Sequence, residues 1–319
     1  MIGLFDSGHG GLTVLKALAG RFPPGKFIYL GDHAHAPYGN RSSEEIVELT
    51  RQGVETLFGL GCPLVMLACN TATAVAARRL QREWLPASTW AGRHNVIGII
   101  APTVEAATQT PWAATSPQYP QKYNTDTIAV LATRRTIASG VYPEEIRKRC
   151  PKVMVQQQAC PDLAGMIEAG AAESLLDAKI AGYVGELLAT CGSVPPHRVI
   201  LGCTHYPLVE PLFRQHLPPF TRLLSQPGIV ADSLEDYLAR HPRYLDGDAE
   251  RAEPTMLTTG EAVEISAALA TFWPEHRAFE SGADVCKAQI VAAALDPQAP
   301  GRQPAPAFHA AHPHPRTRR

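Results

Sequence analysis

The sequence contains no run of roughly 18 consecutive apolar residues, so it offers no helical membrane span. Its opening, MIGLFDSGHGG, has neither the basic start nor the long apolar stretch of a signal peptide, and an acid follows at once. A cytoplasmic protein is therefore expected. An excess of one charge is also missing. Lys and Arg number 29 against 30 Asp and Glu, and basic pairs are short, as at Arg78-Arg79 and Arg134-Arg135. A nucleic-acid surface would need a basic stripe with interleaved aromatics, and none is present. The seven cysteines (62, 69, 150, 160, 191, 203 and 286) show no CxxC spacing, which argues against a thiol-redox centre. Neither GxGxxG nor a P-loop occurs. The run Gly8-His9-Gly10-Gly11 reads as a tight turn that lets a small ligand approach the backbone.

What is present suits two packed cores: 319 residues, 45% of them hydrophobic. Short apolar runs at 1–5, 26–30, 63–68, 95–100, 127–132, 152–156 and 198–201 predict strands. Helical spacing predicts helices over 10–21 (Leu12, Leu15, Leu18), from Cys69 through Trp84, over 102–110 and over 174–190. Another follows a capping box at Ser42-Ser43-Glu44-Glu45, with Ile46, Val54, Leu57 and Phe58 inward. Strand and helix alternating through short joints predict an α/β chain with parallel sheets covered on both faces. The pattern restarts near residue 98, so two diverged copies of one design are expected. Residues 111–126, with three prolines and no periodicity, read as a surface insertion. Beyond Leu295 the Pro, Ala, His and Arg content predicts disorder, and His309, His312 and His314 read as a solvated chain end.

Every polar motif lies just after a strand: Asp6-Ser7, Asp32, Cys69-Asn70-Thr71, Thr133 and Cys203-Thr204-His205. In open α/β sheets, ligands bind at that edge. Cys69 in LACNTATA and Cys203 in LGCTHYPL read as equivalent stations of the two halves. Two thiols facing each other across a cleft can take a proton from one face of a carbon and return one to the other. Cys69 precedes a helix start, whose free N–H groups and dipole are expected to lower the thiol pKa from about 8.5. The competing reading of each cysteine is a small buried hydrophobe. His205 can trade a proton with the Cys203 thiol. Cys-x-His is also half of a zinc site, but no second closely spaced pair exists, so no metal is expected. Asp6 can share protons with a nearby thiol or serve as a plain helix cap. His33 and His35 alternate along a loop and are expected to border the cleft.

The segments IGLFDSGHGGLTVL, GDHAHAPYG, LACNTATA, QACPDLAGMIEAG and LGCTHYPL, in that order, resemble the glutamate racemases of the cofactor-independent aspartate/glutamate racemase superfamily. The resemblance spans roughly residues 1–215. It implies two pseudo-symmetric, doubly wound parallel-sheet domains with glutamate in the cleft between them: 1–97 with 207–295, and 98–206, followed by a tail over 296–319. It implies no pyridoxal phosphate or other cofactor, and no lysine lies inside a motif. Carried over by position, Cys69 takes the α-proton of the D-enantiomer and Cys203 that of the L-enantiomer. Asp6 assists Cys69; His205 assists Cys203, with Glu168 as a further acid. Ser7, Pro37, Tyr38, Gly39, Asn70, Thr71, Thr133, Thr136 and Thr204 hold the substrate. The implied product is D-glutamate for peptidoglycan, and subunit pairing is common in the family.

Three departures from the family pattern stand out. His33 and His35 replace the Thr and Arg of GDTARVPYG. Asp162 replaces an apolar residue, and LLSQP at 223–227 replaces an Asp-Ser-Gly. Two alternatives remain at this level: a racemase of aspartate or another acidic amino acid, and a binding protein that inhibits a DNA-handling enzyme. The presence of both cysteines favours catalysis.

Overall fold

The short apolar runs become strands of two all-parallel sheets. In this computed structural model, residues 1–23, 26–111, 116–117, 126–244, 253–267, 269–273 and 280–281 are described. Most of the expected insertion and the whole 296–319 tail, with its three histidines, lie outside them.

The first half runs β1 (Ile2–Asp6), α1 (Leu12–Ala19), β2 (Phe27–Gly31), α2 (Ser43–Gly59), β3 (Leu64–Leu67), α3 (Asn70–Arg79), α4 (Leu85–Ala87) and β4 (Asn95–Gly98). The second continues with α5 (Ile100–Thr108), β5 (Thr127–Ala132), α6 (Arg134–Ala138), α7 (Val141–Arg149), β6 (Met154–Ala159), α8 (Leu163–Glu168), α9 (Glu173–Cys191), β7 (Arg198–Gly202), α10 (Glu210–His216) and β8 (Arg222–Leu224). The chain then forms α11 (Gln226–Arg240), β9 (Thr255–Thr258), α12 (Ala262–Ala267), α13 (Leu269–Phe272) and β10 (Glu280–Ser281).

The first sheet is ordered β10-β9-β2-β1-β3-β4 and the second β6-β5-β7-β8. In each half the first strand starts mid-sheet, the second is added on one side, and the third and fourth cross to the other. The order β2-β1-β3-β4 thus recurs as β6-β5-β7-β8. This makes the ends of β3 and β7, where Cys69 and Cys203 emerge, equivalent positions. Alternation along each strand buries both faces. Phe27 and Tyr29 of β2 join one core and Ile28 and Leu30 the other, as parallel sheets covered by helices require.

The two halves exchange a helix. Helix α5 follows β4 of the first sheet, yet its Ile100, Val104 and Ala107 pack with Ile128, Val130 and Ile200 of the second. Helix α11 follows β8, yet its Val230, Ala231, Leu234 and Leu238 pack with Leu4, Leu12 and Leu15 of the first. Strand β8, beyond residue 206, still pairs with β7, and the apolar face of α11 carries the chain back to the first core.

Local signals hold where they are short-range. Ser42 Oγ accepts from the Glu45 N–H at 3.2 Å and the Glu45 carboxylate accepts from the Ser42 N–H at 2.9 Å, closing the capping box. The helix expected from Cys69 through Trp84 is α3 continued by a π turn over Leu80–Trp84 into α4. Strand β6 starts later than expected and runs on through Gln156, Gln157 and Gln158. Its extent follows the register Thr127↔Met154 to Ala132↔Ala159, and this edge strand tolerates polar residues. No helix among the described residues is long and apolar enough to cross a membrane.

Candidate active site

Asp6 leaves β1 almost fully buried, with Oδ1 accepting from the Gly8 N–H at 2.8 Å. Oδ2 is buried and has no hydrogen-bond partner among the described residues. Burial raises its carboxyl above the ordinary value, although the His205 charge and the Gly8 N–H oppose this. Beside it, Cys69 caps α3: its Sγ accepts from the Ala72 N–H at 3.4 Å and lies 3.4 Å from Ser7 Oγ. Burial pushes this thiol up to about 12, and the Asp6 charge adds to the push. The helix start was expected to lower it. The N–H contact does pull that way, but a single long hydrogen bond to sulfur does not offset the loss of water around a thiolate. The Cys203 charge also opposes ionisation of Cys69, so the two thiols share one interior.

On the other side, Cys203 Sγ lies 3.7 Å from His205 Nδ1, and His205 Nε2 lies 3.2 Å from Glu168 Oε2. Burial alone would lower the imidazolium. Hydrogen bonds and charge from Cys203 and Glu168 outweigh it and raise His205 to about 10. Burial likewise favours the neutral acid at Glu168, but His205 and His9 hold its carboxyl well below the usual carboxylate range. The Cys203 half is therefore a chain of proton carriers; the Cys69 half is a thiol beside one carboxyl.

The neutral donors gather where the halves meet. Thr71 Oγ1 of α3 lies 3.0 Å from Thr133 Oγ1 and 3.2 Å from Thr136 Oγ1, and the Thr133 hydroxyl donates to Thr136 Oγ1 at 3.0 Å. The Thr13 hydroxyl donates to the Thr204 carbonyl at 2.9 Å, a second bridge. The turn carrying Pro37, Tyr38 and Gly39 is held by Asp32. The Tyr38 hydroxyl donates to Asp32 Oδ2 at 2.7 Å and the Thr259 hydroxyl to Oδ1 at 2.7 Å. His35 Nδ1 is 2.8 Å from the same Oδ1. A Cβ at Gly39 would lie 3.8 Å from Thr133 Cβ, so this turn borders the second half. His33 borders the site as well, its ring 4.3 Å from that of His9, and burial lowers it to about 4.

A family model for Asp/Glu/hydantoin racemases matches residues 13–225. The chain is 49% identical over 282 residues to the glutamate racemase of Phenylobacterium zucineum, covering 88% of this chain and 99% of that one. It belongs to the Asp/Glu/hydantoin racemase family. Among solved structures, the glutamate racemases of Bacillus anthracis and Francisella tularensis each superpose with a TM-score of 0.71. They are 27% and 25% identical to this chain, and the alignments cover 88% of it with 96% and 95% of theirs. The Francisella structure is a complex with D-glutamate.

Within this racemase fold, two groups of residues escaped the sequence reading. The first surrounds Asn70. Its Nδ2 donates to Gln226 Oε1, while its Oδ1 accepts from the Tyr142 hydroxyl at 2.8 Å and from Gln226 Nε2 at 3.1 Å. Gln226 Nε2 also donates to Thr103 Oγ1 at 2.9 Å. All four side chains are buried and come from α3, α5, α7 and α11, so the cluster ties the exchanged helices to the residue beside Cys69. The only sequence signal was that Gln226 falls within the departing LLSQP segment. The second is His9, whose Nδ1 contacts Glu168 Oε1 across the cleft.

Proposed function

We propose that this chain interconverts L- and D-glutamate by a two-base exchange of the α-proton, with no cofactor. The observation that carries this reading is the placement of Cys69 and Cys203. They occupy equivalent strand ends of two repeated sheets, share one interior and have separate proton-handling partners. The substrate assignment follows the relatives, which are glutamate racemases over nearly their full length.

In the free protein, burial keeps Cys69 a thiol, while His205 stands ready to take the proton of Cys203. The Cys203 thiolate removes the α-proton of L-glutamate, and Cys69 gives its proton to the opposite face. D-glutamate leaves behind a Cys69 thiolate and a Cys203 thiol, and the reverse reaction runs from that state. Asp6 shares the proton of Cys69, and His205 with Glu168 that of Cys203. The α-carbon is far less acidic than a thiol, so the carbanion-like state needs stabilisation by fixed donors. Ser7, the Pro37-Tyr38-Gly39 turn, Asn70 and Thr71 at the start of α3, Thr133, Thr136 and Thr204 supply these without a competing charge. Because the Asn70 side chain is engaged with Gln226 and Tyr142, its backbone N–H is the natural contact for the α-carboxylate. The same reading places the enzyme in the cytoplasm, as a pair of subunits supplying D-glutamate for peptidoglycan.

The test is circular dichroism and Cα deuterium exchange in D2O on L- and D-glutamate separately, with aspartate as competitor. Decay of optical activity from both sides, lost in Cys69→Ser and Cys203→Ser, is expected. Exchange with aspartate alone would move the substrate assignment, and no exchange with either would remove the proposal.

A further inference from the structure

His9 is almost fully buried in the turn between β1 and α1, and four other segments converge on it. Nδ1 meets Glu168 Oε1 of α8, and Nε2 lies 3.0 Å from the Ile265 carbonyl of α12. Phe272 of α13 stacks on the ring at 5.3 Å between centroids, and His33 meets it edge-on at 4.3 Å. A carbonyl only accepts, so Nε2 carries a proton. The Nδ1 contact with Glu168 then needs a second shared proton. That proton is shared across the Nδ1–Oε1 contact. Each carboxylate oxygen therefore has its own imidazole, Oε1 that of His9 and Oε2 that of His205. A carboxylate gripped at one oxygen can swing; one gripped at both is fixed. Holding Oε2 against the His205 Nε2–H leaves Nδ1 turned toward Cys203, the tautomer that accepts a thiol proton.

We propose that His9 is a positioning residue for the Cys203 half of the reaction, reaching across the cleft to fix the Glu168 carboxylate that aims His205. The inference rests on the racemase reading above. Glu168 of α8 and His33 after β2 act on this imidazole directly. Glu168 also interacts with His205, Asp6 and Tyr29, Cys203 lies beside His205, and Asp32 acts on His33. Removing His9 leaves Glu168 to His205 alone, which shifts the imidazolium limb of the rate profile in pH.

His9→Leu and His9→Asn form the test pair, because an asparagine N–H can still donate to Glu168. In His9→Leu we expect kcat to fall about tenfold with KM within about twofold, and the pH profile of kcat/KM to shift. His9→Asn should recover most of kcat. Enantiomers are equal in energy, so kcat/KM must fall equally in both directions. Wild-type kcat and pH profile in His9→Leu, or no advantage of His9→Asn over it, would overturn the proposal. Ring 15N spectra need no variant at position 9. Glu168→Gln should move the His9 and His205 signals together, and an unmoved His9 signal would also overturn it. A wild type that exchanges no α-proton would instead remove the racemase reading, while the spectra judge the His9 contact independently.

Discussion

A methyl group placed on Gly10 would lie 2.4 Å from the Thr204 hydroxyl oxygen and 2.6 Å from the His205 ring. Gly10 belongs to the first half and Thr204 to the second, so the seam at the site closes on a bare backbone. Gly10→Ala must push back the residues beside Cys203. We expect kcat to fall by at least about tenfold, with about 1–3 kcal/mol of stability lost to overpacking. Steady-state kinetics and urea unfolding report the two effects, and wild-type kinetics would mean that the seam opens freely.

The Asn70 cluster makes a separate prediction. Gln226→Ala leaves the buried Asn70 amide and Thr103 hydroxyl without the partner that joins them. Stability should fall by about 1–3 kcal/mol. KM for glutamate should rise, because the start of α3 is no longer held to α11. Thermal unfolding that matches the wild type would show the cluster to be dispensable.

The Cys69 thiol should react slowly for a cysteine proposed to carry a proton. With its ionisation pushed up to about 12, iodoacetamide should label it at pH 8 roughly a thousandfold more slowly than a free thiol. The raised value contributes fully to stability below about 8.5, and the contribution is lost as pH rises toward about 12. Cys69→Ala should flatten that alkaline slope in urea titrations; an unchanged slope would assign it elsewhere.

His33 makes the acid-side prediction. Burial lowers its imidazolium to about 4, so its contribution is complete above about 6.5 and disappears as pH falls through about 4. Urea midpoints for the wild type should drop between pH 7 and pH 5. His33→Gln should show a smaller drop, and an equal drop would clear His33 of the effect.

Much of the fold was legible because its cause is local. The apolar runs around Leu4, Ile28, Val65, Val130 and Ile200 are short, bounded by turn residues and buried on both faces, which marks strands of a parallel sheet. The polar motifs that end them supplied the candidate residues, and the structure brings Asp6, Cys69, Cys203, His205 and Glu168 together. Strand β8 and the exchange of α5 and α11 were not legible. Which core a helix enters depends on where the sheet ends in space, not on its own periodicity. Gln226 looked like a simple departure until Asn70, Tyr142 and Thr103 were placed around it.

The sequence by itself determined which residues are candidates for the chemistry, because it sets cysteine, histidine and carboxyl groups just after the strands, at the edge where α/β sheets bind ligands. It also determined the repeat that makes Cys69 and Cys203 counterparts. Only the tertiary structure decided their acidity and company. Burial overrode the helix start at Cys69, and folding brought His9, 159 residues from Glu168 in the chain, against its carboxylate. Desolvation and long-range contact depend on everything packed around a group, and no stretch of sequence near it states what that will be.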